Sequence, residues 1–182
     1  KVLVQLCTKG NQNWQLIKQI WTAIFTLPQQ ETAMADIEHS IIVYAPREKV
    51  WESWDRFGEI ARFNKGLLAS ALLPGSAATG LGARRRCDLK NGKSFLHEEI
   101  AAYRAQELME IVVFDSNLPV KTVRLMLTFS APSATTTRID AKVNFTMKYG
   151  LLGRILKLVA RKEFLGDITR LLKGNKLFNE HA

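Results

Sequence analysis

Arg85 and Glu98 are the two residues whose types and spacing suggest chemistry. They flank Asn91-Gly92 within the stretch ARRRCDLKNGKSFLHEEI, residues 83–100. Asn-Gly between alternating runs is a strong short-range hairpin signal, because a two-residue type I′ turn needs positive φ at both central positions. A loop of those two residues sets Leu89 opposite Ser94, Cys87 opposite Leu96, Arg85 opposite Glu98 and Ala83 opposite Ile100. Side chains alternate along a strand, so these eight share one face. Arg84 with Glu99, Arg86 with His97 and Asp88 with Phe95 take the other, wetter face. The hairpin thereby places one guanidinium–carboxylate pair on an apolar surface. Such a pair can orient the carboxylate, carbonyl or enolate of a bound molecule through Arg85, with Glu98 positioning Arg85 or acting as a base. A satisfied buried ion pair is the competing reading; its desolvation cost calls for an explanation either way.

Other chemistries find less support. Of the three histidines, His97 falls on the outer face of the hairpin, His181 is next to the last residue and His39 sits on a predicted first strand, where a solvated or edge position fits. No His, Cys, Asp or Glu cluster has metal-ligand spacing, so no metal and no cofactor are expected. GSAATGLG lacks the Lys-Ser/Thr of a phosphate loop and reads as a connection or gate between strands. Cys7 and Cys87 lie in dissimilar segments, and Cys87 reads as a free buried thiol.

The elements that must position the pair follow from periodicity. Residues 37–44 form a strand that Ala45-Pro46 ends, and PREKVWESW is a short helix with Val50 and Trp54 on one side. DRFGEIARFN makes a second short helical segment, with Phe57, Ile60, Ala61 and Phe63 apolar. Residues 67–73 are a strand, followed by the Gly- and Ser-rich loop 74–82 and the hairpin. Three more strands span 107–115, 120–131 and 138–149. In the last, Ile139, Ala141, Val143, Phe145, Met147 and Tyr149 oppose Arg138, Asp140, Lys142, Asn144, Thr146 and Lys148, the pattern of an antiparallel strand with one wet face. After Gly150 the period becomes 3.6. Leu152, Ile155, Leu156, Val159, Phe164, Leu165, Ile168, Leu171 and Leu172 mark the apolar side of one long helix, with Arg154, Lys157, Arg161, Lys162, Arg170 and Lys173 opposite. Gly166 marks a close backbone approach or a bend. An antiparallel sheet with one apolar face needs a cover, and this helix is the long apolar stripe available.

The chain has 182 residues, 47% hydrophobic and 24% charged, with a formal net charge of +9. That fits one domain with a sizeable core, a cytoplasmic location and a preference for anionic surfaces. No apolar run reaches the ~18 residues of a membrane span. Aromatic interleaving of the kind that stacks bases is missing from the basic helix, so nucleic acid is not an expected partner. Residues 34–182 read as the folded domain. Residues 1–33 read as an appended segment, as an amphipathic appendage, or as a secretory signal whose cleavage site Ala33-Met34-Ala35 would mimic.

With those residues in place, the sequence resembles the helix-grip fold of the START/Bet v 1-like (SRPBCC) superfamily, and within it the polyketide cyclase/dehydrase and lipid-transport group. The resemblance rests on IEHSIIVYAPREKVWESWDRFGEIARFN, GLGARRRCDLKNGKSFLHEEI, NLPVKTVRLMLTF and TTRIDAKVNF with the basic helix that follows. It departs from the group at Phe63-Asn64-Lys65, where members often carry Trp-Asn-Pro, and at Met109 and Ile111, where they often carry aromatics. It implies an α+β helix-grip domain: a curved antiparallel sheet wrapped around the C-terminal helix, with a cavity between them. The implied ligand is a small hydrophobic or amphipathic molecule. The expected site comprises Arg85, Glu98, Cys87, Phe63, Met109, Ile111, Phe145, Met147, Tyr149 and Leu156, plain core being the alternative for the aromatic and Met positions. Two further functions stay open: a polyketide cyclase/aromatase-type enzyme with Arg85 and Glu98 as catalytic candidates, and a lipid- or quinone-binding protein at a membrane surface.

Overall fold

A computed structural model describes residues 35–181, side chains excepted at 151, 152 and 154. The expectations for residues 1–33, and Cys7 with them, lie outside the described residues. The element order is β1 (Ile37–Val43), α1 (Arg47–Asp55), a 3-10 helix (Phe57–Arg62), β2 (Leu67–Leu72), β3 (Arg84–Leu89), β4 (Phe95–Arg104), β5 (Leu108–Ser116), β6 (Val120–Ser133), β7 (Thr136–Met147) and α2 (Gly150–Glu180). The strands make one curved antiparallel sheet in the order β1-β7-β6-β5-β4-β3-β2, so the chain meanders from β2 to β7 and β1 closes against β7. This is the helix-grip architecture expected from the periodicity and the resemblance. His39 lies on β1, an edge strand, opposite Ala141.

Burial follows the alternation. Along β7, Thr137, Ile139, Ala141, Val143 and Phe145 are buried, while Arg138, Lys142, Asn144 and Thr146 face water. Three strand pairings carry register shifts, including one between His97 and Glu98 on β4, where Phe114 of β5 is the extra residue. Such bulges bend a strand and re-aim the neighbouring side chain. Here the shift lies beside Glu98.

The hairpin register is as the sequence indicates, with Arg85 opposite Glu98 and Cys87 opposite Leu96. Its turn is different. Only Gly92 has positive φ, 67°, and the N–H of Gly92 donates to the Leu89 carbonyl at 2.9 Å, so Lys90 and Asn91 form the corner. Leu89 N–H bonds Ser94 O at 2.8 Å, giving a four-residue loop. The Asn91 side-chain oxygen accepts from the N–H groups of Lys93 and Ser94, which suits Asn to a side-chain turn instead of a left-handed backbone. Both loops are centred between Asn91 and Gly92, so the register survives the change.

Two aromatic-rich pieces fill one half of the space under the sheet. Trp51 and Trp54 of α1 pack edge-on to Phe129 of β6 at 5.1 and 6.2 Å, and Trp54 meets Phe63 at 5.2 Å. Helix α2 docks its C-terminal half on this cluster. Ile168, Leu171 and Leu172 are buried, each such side chain contributing about 1.5–3 kcal/mol by leaving water. A buried polar knot fixes the approach: Ser53 Oγ accepts from Asn175 Nδ2 at 2.7 Å and Asn179 Nδ2 at 3.2 Å, and donates to the Val50 carbonyl at 2.6 Å. Gly174 sits so close to the 3-10 helix that a Cβ there would lie 2.0 Å from the Phe63 carbonyl oxygen. The expectation of a close approach at Gly166 is corrected: a Cβ at Gly166 would meet only the Arg170 side chain, at 3.4 Å or more, and α2 runs unbroken past it.

The N-terminal half of α2 behaves differently. Phe164 stacks on Phe145 at 4.5 Å, and Lys157 is pinned to Asp36 at 2.7 Å. Ile155, Leu158 and Val159, however, are 65, 76 and 69% exposed. The apolar stripe read from the sequence therefore merges two faces. Ala160, Phe164, Ile168, Leu171 and Leu172 turn toward the sheet, whereas Ile155, Leu158 and Val159 turn to solvent.

Candidate functional site

The half of the groove that the α1 aromatics do not reach contains a cavity of about 400 Å³, within the usual size range of small-molecule sites. Its floor is apolar and comes from successive strands: Leu89, Leu96, Ile111, Val113, Val123, Leu125, Val143 and Met147. Leu118 and Pro119 close one end. Ala160, Phe164, Ile168 and Leu171 of α2 form the roof, with Glu163, Asp167 and Arg170 at its rim. Strand register explains why these residues meet. Ile111 pairs with Leu125, and Leu125 with Val143; Val113 pairs with Val123 and Glu98. One carboxylate thus enters a row of valines.

That carboxylate is tightly held. Arg85 Nε donates to Glu98 Oε2 at 2.6 Å, and Arg85 Nη1 donates to the Phe57 carbonyl at 2.9 Å. The guanidinium carbon lies 3.9 Å from the centre of the Phe57 ring. The Cys87 thiol also donates to Glu98 Oε2, at 3.4 Å. Burial, then the adjoining Glu98 charge, push the Cys87 thiol well above its ordinary pKa, so it stays protonated and is a donor, not a nucleophile. The side chain of Arg85 is 3% exposed and that of Glu98 13%. Glu98 borders the cavity; Arg85 lies behind it.

The sequence reading set Arg85 toward the ligand, with Glu98 positioning Arg85 or acting as a base; in the structure it is Glu98 that borders the cavity, and Arg85 is not part of its lining. The register did bring the pair together on the inner face. What it could not give was depth, because the Phe57 carbonyl and ring that enclose the guanidinium come from a different part of the chain. Among the other expected site residues, Ile111 and Met147 line the cavity. Cys87, Phe63, Met109 and Phe145 are buried core outside its lining. Phe63 is consumed by Trp54 and by Phe178, at 6.0 Å; Phe145 is covered by Phe164. Tyr149 and Leu156 are corrected outright: they are 66 and 36% exposed and contribute nothing to the wall. Tyr149 follows the end of β7 in a left-handed conformation, φ 75°, which turns the chain into α2 and breaks the strand alternation that would have pointed it inward.

Val113, Val123, Leu125, Val143, Ile168 and Leu171 were not among the site residues expected from the sequence. The first four lie on the inward sets of their strands, and Ile168 and Leu171 on the apolar stripe of the long helix. The missing information was which end of each strand the two tryptophans would cover. Residues 74–82 do not line the cavity; Thr79 is hydrogen-bonded to Asp55 of α1, which also accepts from Tyr103 Oη at 2.7 Å. None of the three histidines lines the cavity either; His97 is on the outer face, bonded to Asp115 at 3.0 Å. Among the described residues no group of three His, Cys, Asp or Glu side chains is arranged to hold a metal ion.

Comparison with known proteins agrees with this geometry. Residues 34–176 match the family described as polyketide cyclase / dehydrase and lipid transport. No curated protein matches the sequence. Among solved structures, the chain is similar to the protein XoxI from Bacillus cereus (TM-score 0.65, 15% identity, covering 79% of this chain and 94% of that one). It is also similar to a START superfamily protein from Mycobacterium smegmatis (TM-score 0.62, 12% identity, 77 and 95% covered). An aromatase/cyclase, Zhui, from Streptomyces sp. R1128 superposes with TM-score 0.60 at 14% identity, 76 and 92% covered. At these identities the likeness is one of fold.

Proposed function

The chain belongs to the polyketide cyclase/dehydrase and lipid-transport family, and on that premise we propose that it binds a small hydrophobic or amphipathic molecule in the cavity between the sheet and α2. The observation that carries the reading is the cavity itself: a hollow of about 400 Å³ walled by aliphatic side chains, with a single carboxylate on its floor. Native interiors are close-packed, and leaving such a volume empty forfeits dispersion contacts over its whole lining. A ligand restores them. The test uses N-phenyl-1-naphthylamine, a neutral probe that fluoresces in apolar surroundings. Wild type is expected to bind it saturably, and Leu125→Trp, which pushes an indole into the hollow, to lose at least tenfold in affinity while keeping its circular dichroism. Equal binding by the two proteins would place the probe elsewhere and refute the reading.

A second reading, delivery or uptake of that ligand at a membrane surface, draws on a separate observation. The stretch of α2 that leads into the cavity roof shows Ile155, Leu158 and Val159 to solvent beside exposed Arg161 and Lys162, on a chain of net charge +9. Apolar side chains flanked by cations suit an interface with anionic lipid. No helix of the described residues is long and apolar enough to cross a membrane, so the contact would be superficial. Co-sedimentation with phosphatidylserine vesicles at low salt is expected, weakening in 0.5 M salt (on the order of a 4 Å screening length) and in Leu158→Glu. Pelleting unchanged by that substitution would remove α2 as the contact.

A further inference from the structure

The charge inside the cavity runs opposite to the charge of the chain. Of the residues lining it, Glu98, Glu163 and Asp167 are acidic and Arg170 alone is basic, although the protein carries a net +9. Arg170 is paired with Asp167 at the rim. The other guanidinium nearby, Arg85, is closed off by Glu98, by the Phe57 carbonyl and by the Phe57 ring. A ligand that enters the hollow therefore meets the carboxylate, not the cation.

The carboxylate's two oxygens are used unequally. The hydrogen bonds to Glu98 from Arg85 and from Cys87 both end on Oε2. None from the described residues ends on Oε1, and Glu98 borders the cavity. The Arg85 charge already balances that of Glu98, so the floor offers the ligand an acceptor without a net charge. An acceptor in apolar surroundings is satisfied by a donor, and a buried acceptor left unmatched is costly. A ligand carboxylate would set lone pairs against lone pairs. An ammonium at the floor would bring a second cation to the Glu98–Arg85 pair, and the acidic groups that could attract it, Glu163 and Asp167, lie at the rim, Asp167 already paired with Arg170.

We infer that the ligand is an uncharged amphiphile whose polar end is a hydroxyl, phenolic or alcoholic, donated to Glu98 Oε1, with its apolar body along Val113, Val123 and Leu125. This rests on the cavity-binding reading above and narrows it to a chemical class. It also excludes fatty-acid-like anions, the class that an inward-facing Arg85 would have selected.

The test is competition against bound N-phenyl-1-naphthylamine at pH 8 by two molecules of matched shape, 4-octylphenol and 4-octylbenzoate. The phenol is expected to displace the probe at a concentration about tenfold lower or more, the size of effect a single hydrogen bond to a charged group supports. In Glu98→Gln the preference for the phenol is expected to shrink or vanish, because the Arg85 charge behind residue 98 is then uncompensated and its field favours the anion. The wild-type comparison stands alone if that variant does not fold. Octylbenzoate competing as well as octylphenol overturns the inference and leaves the cavity reading standing. Failure of the neutral probe to bind wild type at all overturns both.

Discussion

Arg85→Met is expected to cost about 3–5 kcal/mol of stability, read from urea or thermal unfolding, because it leaves the Glu98 carboxylate without its counter-ion in a nearly enclosed site. A role for Arg85 in ligand contact alone would give a milder outcome, a folded protein with weakened binding. The structure changes that expectation. Arg85 also caps the Phe57 carbonyl and lies against the Phe57 ring, so its removal loosens the 3-10 helix as well. The double variant Arg85→Met/Glu98→Leu is expected to recover most of the loss, since replacing both members of a buried pair by apolar groups is often neutral or stabilising. A single variant as stable as wild type would show that the pair is solvated, and would remove the reason for treating Glu98 as a fixed acceptor.

Gly174→Ala carries the second large effect. Its Cβ would fall 2.0 Å from a backbone oxygen of Phe63, and backbone cannot swing aside as a long side chain can. Helix α2 and the 3-10 helix must separate, which disturbs the Ser53–Asn175–Asn179 knot that begins at the next residue. The expected loss is about 3 kcal/mol, at the upper end of overpacking costs, and the ~1 kcal/mol that alanine gains over glycine in helix propensity does not offset it. Gly166→Ala on the same helix is the control. With only the Arg170 side chain near, it is expected to leave stability unchanged or raise it by up to about 1 kcal/mol. Equal effects at the two positions would contradict the docking geometry described for α2.

These two cases mark what the sequence reveals and what it withholds. Period-2 alternation in β6 and β7 fixed which residues face inward, and Asn91-Gly92 centred the hairpin well enough to pair Arg85 with Glu98 although the turn type differs. Both are local regularities, and local regularities survive in sequence. Depth does not. Whether Arg85 or Glu98 meets the ligand depends on Phe57, and whether Met109 or Val113 lines the hollow depends on where Trp51 and Trp54 land. The long helix shows the same limit. Its apolar residues at 155, 158 and 159 fit a helical stripe, yet only the geometry of the sheet decides that the stripe splits into a roof and an exposed face. Gly174 was missed for a related reason, since a glycine needed for close approach looks like any other until its neighbour is known.

Methyl-resolved NMR during titration with 4-octylphenol decides whether the hollow between sheet and α2 is where the ligand sits. Shifts and intermolecular contacts are expected on the methyls of Ile111, Val113, Val123, Leu125 and Ile168, with those of Ile155, Leu158 and Val159 unmoved. Shifts confined to the outer face of α2, or none in the cavity at saturation, would contradict that placement.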